Sequence, residues 1–373
     1  MQAAPSRTPH DAPDPVANDP AVDTAAAEPV LSVRGLKTVF QTGTGEVHAV
    51  NDVSFDIMPG ELLGVVGESG SGKSVTMMSL LKLLPSPPAE IRAGEVLFEG
   101  RNLLDLAPRE LRRIRGARIG FIFQDPMTSL NPVFTVGFQL MEPLRKHMGL
   151  SKRAAFDRAV ELLELVNIPD APKRMRAFPH QFSGGMRQRV MIAMALTCDP
   201  KVLIADEPTT ALDVTVQAQI LELMRDLRTK LGTAIVWITH DLGVVAGIAD
   251  RVAVMYGGEI VEYSDVGELF ANPRHPYTRA LLSTLPSLTG EREERLVSIG
   301  GQPPNLRAAP DFCPFTPRCP HAFERCAHEN PPLEPVRGAK GRHEVACWWD
   351  PASGDGGPEG AAAERSAVEG VPA

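Results

Sequence analysis

The chain is poor in aromatic side chains: Phe, Tyr and Trp make up 5% of its 373 residues. It also lacks an apolar run near the roughly 18 to 20 residues that a bilayer-crossing helix needs. Its first thirty residues show no charged start followed by an apolar stretch, so a secretory leader is not expected either. An excess of basic charge is missing too. The 38 Lys and Arg stand against 46 Asp and Glu, a formal charge of −8, which argues against a nucleic-acid binder. Finally, none of the five cysteines forms a C-x-x-C pair. Four of them nevertheless gather between Cys313 and Cys347, and in a reducing compartment such a cluster favours a metal over disulfides. Cys198 stands apart and reads as a buried small hydrophobe.

What is present divides the chain into parts. Residues 1–29 and the tail from about 351 to 373 are Ala, Pro, Gly and acidic residues with few large apolar side chains, a composition that predicts disorder. Between them, "LSVRGLKTVF" and "VHAVNDVSFDI" alternate as strands joined by the loop "QTGTGE", and "AGEVLFEGRNL" reads as a further antiparallel piece. The short continuous apolar runs "ELLGVVG", "KVLIADEP" and "TAIVWITH" predict strands buried on both faces of a mainly parallel sheet. Helical spacing in "AAFDRAVELLELV" places a helical insertion near 125–198. "VAVMYGGEIVEY" predicts a hairpin turning at Gly257–Gly258, and from 272 to about 350 the chain turns rich in Pro, Arg and Cys. The expectation is an α/β fold of 30–271 with a small Cys-rich unit appended.

Chemistry concentrates in a few motifs. "GESGSGKS" (Gly67, Glu68, Ser69, Gly70, Ser71, Gly72, Lys73, Ser74) fits G-x-x-x-x-G-K-[ST] between a predicted strand and a predicted helix. Its glycines let the backbone wrap a phosphate, Lys73 neutralises the outer phosphates, and Ser74 offers a magnesium ligand. "VLIADEP" puts Asp206 and Glu207 at the end of a buried strand, where ligands of parallel sheets gather. Asp206 suits the magnesium, and Glu207 suits a water aimed at the terminal phosphate. "FSGG" sets Ser183, Gly184 and Gly185 at a helix start, whose unpaired amides make a second anion site.

These four stretches, "GESGSGKS", "FSGGMRQRV", "LIADEPTTALD" and "ITHD", resemble the Walker A, signature, Walker B with D-loop, and switch-histidine motifs of ABC transporter ATPases. The resemblance runs from about residue 31 to 264. It implies a P-loop ABC ATPase fold and ATP with Mg2+ as ligands. It also implies that Gln124 of "FIFQDP" senses magnesium and the terminal phosphate, that His240 positions the attacking water, and that Asp213 lies in the D-loop between two nucleotide-binding domains. Met186 replaces the commoner glutamine after the signature glycines. Phe40 is either the family's adenine-stacking aromatic or a core phenylalanine. In this family the signature of one domain closes over nucleotide on the Walker A of another, so a second ATPase, identical or sister, is implied.

"NPRHPYTRALLSTLP", "SIGGQPPNL" and the cysteine cluster are similar to the C-terminal extension of oligopeptide and dipeptide importer ATPases, an extension shared with nickel importers. That resemblance implies peptide import at the cytoplasmic face of the membrane. Two permeases and an extracytoplasmic peptide-binding protein are the implied partners, with no direct contact to the cargo and no nucleic acid. Cys313, Cys319, Cys326 and Cys347 are separated by five, six and twenty residues. Four thiolates suit a [4Fe-4S] cluster, with zinc and unligated thiols as alternatives.

Overall fold

The computed structural model describes residues 28–125, 129–210, 212–285 and 299–351. The expected disordered ends therefore lie almost wholly outside the described residues. Two sheets organise the rest. The first is four-stranded and antiparallel, in the order β2-β1-β4-β5, with β1 at Leu31–Thr42, β2 at Gly45–Ile57, β4 at Ala89–Phe98 and β5 at Arg101–Asn102. The expected loop "QTGTGE" is shorter than its sequence suggests. Pairing runs out to Thr42↔Gly45, because Gly45 takes a φ of 120° that a tight turn needs and other residues resist.

The second sheet has the order β11-β12-β10-β9-β3-β8-β7-β6. Its parallel core is β3 (Leu62–Val66), β6 (Ile119–Ile122), β7 (Val202–Asp206), β8 (Ala234–Thr239) and β9 (Arg251–Tyr256). Every residue of β3, β7 and β8 is buried, which is why these strands read as unbroken apolar runs. Each fully buried Leu, Ile or Val stabilises the sheet by roughly 1.5–3 kcal/mol before ordering costs. β9 turns through Gly257 and Gly258 into antiparallel β10 (Glu259–Asp265), the expected hairpin. The chain's last described strands, β11 (Glu334–Pro335) and β12 (His343–Val345), continue the same sheet through Glu262↔Val345.

Helices connect and cover these sheets: α1 (Lys73–Leu80), α2 (Pro108–Ile114), α3 (Val136–His147), α4 (Lys152–Leu165), α5 (Ala171–Arg174), α6 (Gly184–Ala195), α7 (Val214–Leu231) and α8 (Leu242–Ile248). The helical insertion between β6 and β7 is thus α3 to α6. Thr135 and Ser151 cap α3 and α4 by accepting from Phe138 N and Ala154 N. Toward the C-terminus follow α9 (Val266–Ala271), α10 (Pro276–Ser283) and α11 (Glu324–His328). Tyr277, Cys313, Phe315 and Cys326 pack into the same apolar core as Val254 and Tyr256 of β9. Cys198 is half-buried rather than buried, and Thr197 Oγ1 donates to its sulfur at 3.8 Å.

Candidate nucleotide site

Residues 67–72 lead from β3 into α1 as a loop that only glycine can follow at key points. Gly67 has φ 153° and Gly72 φ 98°; a Cβ on them would sit 2.2 Å from Met255 O and 2.5 Å from Ala49 O. Gly72 also caps α1 without a side chain, so the first amides of α1 keep their capacity for an anion. Lys73 Nζ, largely buried, donates to Gly67 O at 2.7 Å and Glu68 O at 2.9 Å. Burial lowers its pKa, while Glu207, Asp206 and Glu68 pull it back up.

The end of β7 meets this loop. Ser74 Oγ donates to Asp206 Oδ1 at 2.8 Å, joining residues 132 apart in sequence. Burial raises the Asp206 pKa, and the Ser74 hydrogen bond opposes that rise. Hydroxyl and carboxylate oxygens side by side are the hard donors that Mg2+ prefers, and a site that uses one carboxylate plus substrate phosphates needs no larger acidic cage. Among the described residues, the four C-terminal cysteines included, no group of three or more His, Cys, Asp and Glu is arranged to hold a metal ion. Magnesium bound there would withdraw charge from the phosphates.

Glu207 follows with φ 44°, a left-handed conformation that costs a non-glycine residue of order 1 kcal/mol and clusters at working sites. Its N–H continues the β7 ladder by donating to Ile238 O at 3.0 Å, which fixes where the side chain emerges. Gln124 Nε2 and Thr210 Oγ1 both donate to Glu207 Oε2 at 2.9 Å, and His240 Nδ1 lies 3.7 Å from the same oxygen. The structure thus brings Lys73, Ser74, Asp206, Glu207, Gln124 and His240 to one place. Thr210 was not singled out in the sequence, although its position one turn after Glu207 in "DEPTT" carried the signal.

Other expected residues lie elsewhere. Ser183 caps α6 by accepting from Met186 N at 3.3 Å, and Ser183 and Gly184 are exposed. Gly185 is small for packing as well, since a Cβ there would sit 2.7 Å from Val216 Cγ1. Asp213 caps α7 by accepting from Val216 N at 2.9 Å, beside Val214, which is 83% exposed. Phe40 is half-buried on β1, opposite Val47.

Comparison with known proteins settles the family. Residues 50–210 match the ABC transporter family, and residues 261–326 match the family described as "Oligopeptide/dipeptide transporter, C-terminal region". The oligopeptide transport ATP-binding protein OppD of Bacillus subtilis is 55% identical over 319 residues, covering 86% of this chain and 88% of that protein. The OppD of Salmonella typhimurium is 55% identical over 308 residues, covering 83% and 91%. The chain belongs to the ABC transporter ATP-binding proteins. Among solved structures, the dimeric cassette MJ0796 bound to ADP and phosphate superposes with a TM-score of 0.57 at 29% identity, covering 63% of this chain and 98% of that one. The P-loop ABC ATPase fold is therefore shared, and as a member of this family the chain is an ATPase.

In this ABC protein the four C-terminal cysteines line a common pocket, although as they stand they are not arranged as a metal-holding group. Cys313, Cys319, Cys326 and Cys347 line one cavity of about 10 Å3 whose walls include Phe315, Trp348 and Trp349. None is in a disulfide. Burial raises all four thiol pKa values, that of Cys319 to about 12. No helix among the described residues is long and apolar enough to cross a membrane.

Proposed function

We propose that this chain is the ATP-hydrolysing subunit of an importer that moves di- or oligopeptides across the cytoplasmic membrane. It works at the cytoplasmic face with a second ATPase, two permeases and, through them, an extracytoplasmic peptide-binding protein. The observation that carries the reading is the meeting of Ser74, Asp206, Glu207 and Gln124 at one strand end. The triphosphate is gripped by residues 67–74, with Lys73 exchanging its contacts to Gly67 O and Glu68 O for phosphate oxygens. Phe40 stacks on the adenine. Ser183, Gly184 and Gly185 of the partner ATPase seal the site, with Asp213 at the seam. Glu207 takes the proton of the attacking water while His240 and Gln124 orient it. Closure on ATP and reopening after hydrolysis then bias the permeases between two states.

The test is phosphate release by the assembled ATPase and permease complex in lipid, with and without peptide-loaded binding protein. Stimulation by the loaded protein is expected; hydrolysis indifferent to it would overturn the importer reading.

For the four cysteines we propose a [4Fe-4S] cluster. Four soft thiols around one apolar cavity suit iron and sulfide by count and chemistry. The free space is close to what one water needs, so holding a cluster requires the thiols to turn outward. The cluster's contribution is structural, cross-linking the segment. Zinc is the lesser alternative, since structural zinc sites usually show a C-x-x-C pair and these four cysteines form none. Protein purified without oxygen should be brown with about four irons per chain, and Cys319→Ser should lose them. Colourless protein carrying zinc would decide against the cluster.

A further inference from the structure

The phosphate loop is held by residues more than 200 positions further along the chain. Glu68, its second residue, is fixed at three points: its N–H donates to Tyr277 Oη at 2.8 Å, its C=O accepts from Lys73 Nζ at 2.9 Å, and its carboxylate oxygens accept from Arg318 Nη1 and Nη2 at 2.6 and 2.9 Å. Arg318 lies 250 residues further on, at the end of the 3-10 turn Thr316–Arg318 and beside Cys319. Its side chain is 3% exposed. The fork is held in turn: Nε donates to Gly300 O at 2.8 Å, Nη2 to Ile299 O at 3.2 Å and Nη1 to Tyr256 Oη at 3.2 Å. The guanidinium carbon lies 5.7 Å from the Tyr256 ring centre, and Tyr256 packs against Tyr277 at 4.6 Å.

A loop that binds anions gains nothing from a carboxylate of its own. Left unpaired, Glu68 would repel the phosphates, and a triphosphate more than a diphosphate because repulsion scales with charge. A bidentate, buried guanidinium cancels that charge in a fixed geometry, which a mobile surface lysine would not do. It also sets the loop's shape before nucleotide arrives, so less ordering cost falls on binding.

We propose that Arg318 is a positioning residue for nucleotide binding: by neutralising and anchoring Glu68, it makes the affinity for Mg-ATP depend on the C-terminal segment. The proposal rests on the loop being the nucleotide site. Calorimetric titration of the full chain with Mg-ATP and Mg-ADP tests it, with melting curves as the check on folding. Arg318→Met is expected to weaken Mg-ATP binding about tenfold and Mg-ADP about threefold, from the loss of a charge-assisted bidentate pair. Glu68→Gln combined with Arg318→Met should restore Mg-ATP affinity to within about threefold of the parent, since no uncancelled charge remains. A purely structural arginine would leave the double variant as weak as the single one. Equal affinity of Arg318→Met and parent, or no recovery in the double variant, overturns the proposal. Should Arg318→Met not fold, Arg318→Lys carries the test: a two- to threefold loss, larger for ATP than for ADP, is expected from a point charge without the fork. Unchanged affinity there is equally fatal. A parent chain that itself binds no Mg-ATP would instead sink the nucleotide reading.

Discussion

Gln124 and Glu207 are 83 residues apart in sequence and joined by a hydrogen bond of 2.9 Å from Gln124 Nε2 to Glu207 Oε2. Gln124 follows β6 and Glu207 follows β7, neighbouring parallel strands, so the sheet's own register brings the amide to the carboxylate. That carboxylate also accepts from Thr210 Oγ1, with His240 Nδ1 3.7 Å away. Glu207, proposed above as the residue that takes the proton of the attacking water, is thus tied to Gln124, in the segment proposed to border the permeases.

Glu207→Gln should leave Mg-ATP binding within about threefold of the parent while lowering turnover about 10²- to 10⁴-fold, the usual weight of general-base catalysis. The amide keeps the size of the carboxylate and can still accept from Gln124 and Thr210, yet it cannot take a proton. Phosphate release together with calorimetric binding reads the two effects separately. Parent-like phosphate release would remove Glu207 from the chemistry.

Ser74→Ala removes the donor to Asp206 Oδ1 and, with it, the hydroxyl proposed as a magnesium ligand. Burial already raises the Asp206 pKa, and the serine hydroxyl counteracts it. Its loss therefore raises that pKa further and moves the acid limb of magnesium activation to higher pH. At fixed ATP, the Mg2+ concentration for half-maximal phosphate release should rise about tenfold, roughly the value of one charge-assisted contact. A superimposable magnesium curve would show that Ser74 is no ligand.

Gly72→Ala tests the loop's backbone. The residue sits at φ 98°, and its new methyl would meet Ala49 O at 2.5 Å, an atom of backbone that cannot swing aside. Loss of most Mg-ATP binding is expected, at least about a hundredfold, with a strain of order 1–3 kcal/mol also lowering the melting temperature. Parent-like binding would mean the loop relaxes more easily than its contacts suggest.

The motifs could be read from the sequence because each is local. A glycine loop between strand and helix, and an acidic pair ending a buried strand, declare themselves within eight residues. The unbroken apolar runs 62–66, 202–206 and 234–239 likewise announced strands buried on both faces. Contacts between distant segments had no such signature. Arg318 and Tyr277 lie in segments with no motif that points to the phosphate loop, yet both hold Glu68. The addition of β12 to β10 was equally hidden, since His343–Val345 is three residues long and alternates no clear pattern.

Glu259 opens β10, and its Oε1 accepts from Asn330 Nδ2 at 2.8 Å, a link from the hairpin to the segment after α11. Burial pushes its carboxyl from 4.5 up to about 7, with the Asn330 hydrogen bond acting in the opposite direction. The folded chain therefore keeps a proton that the unfolded chain releases between those two values. Stability from this group is fully present below about pH 4.5 and is lost as pH rises through 7. Because the side chain is only partly screened from water, the loss between pH 5 and pH 8 should be about 1–2 kcal/mol rather than the full linkage value. Glu259→Gln keeps an oxygen for Asn330 and has no proton to lose. Melting curves of parent and variant should therefore nearly coincide at pH 5, whereas at pH 8 the variant should melt a few degrees higher. A variant that gains equally at both pH values would show that the carboxyl titrates no differently once folded.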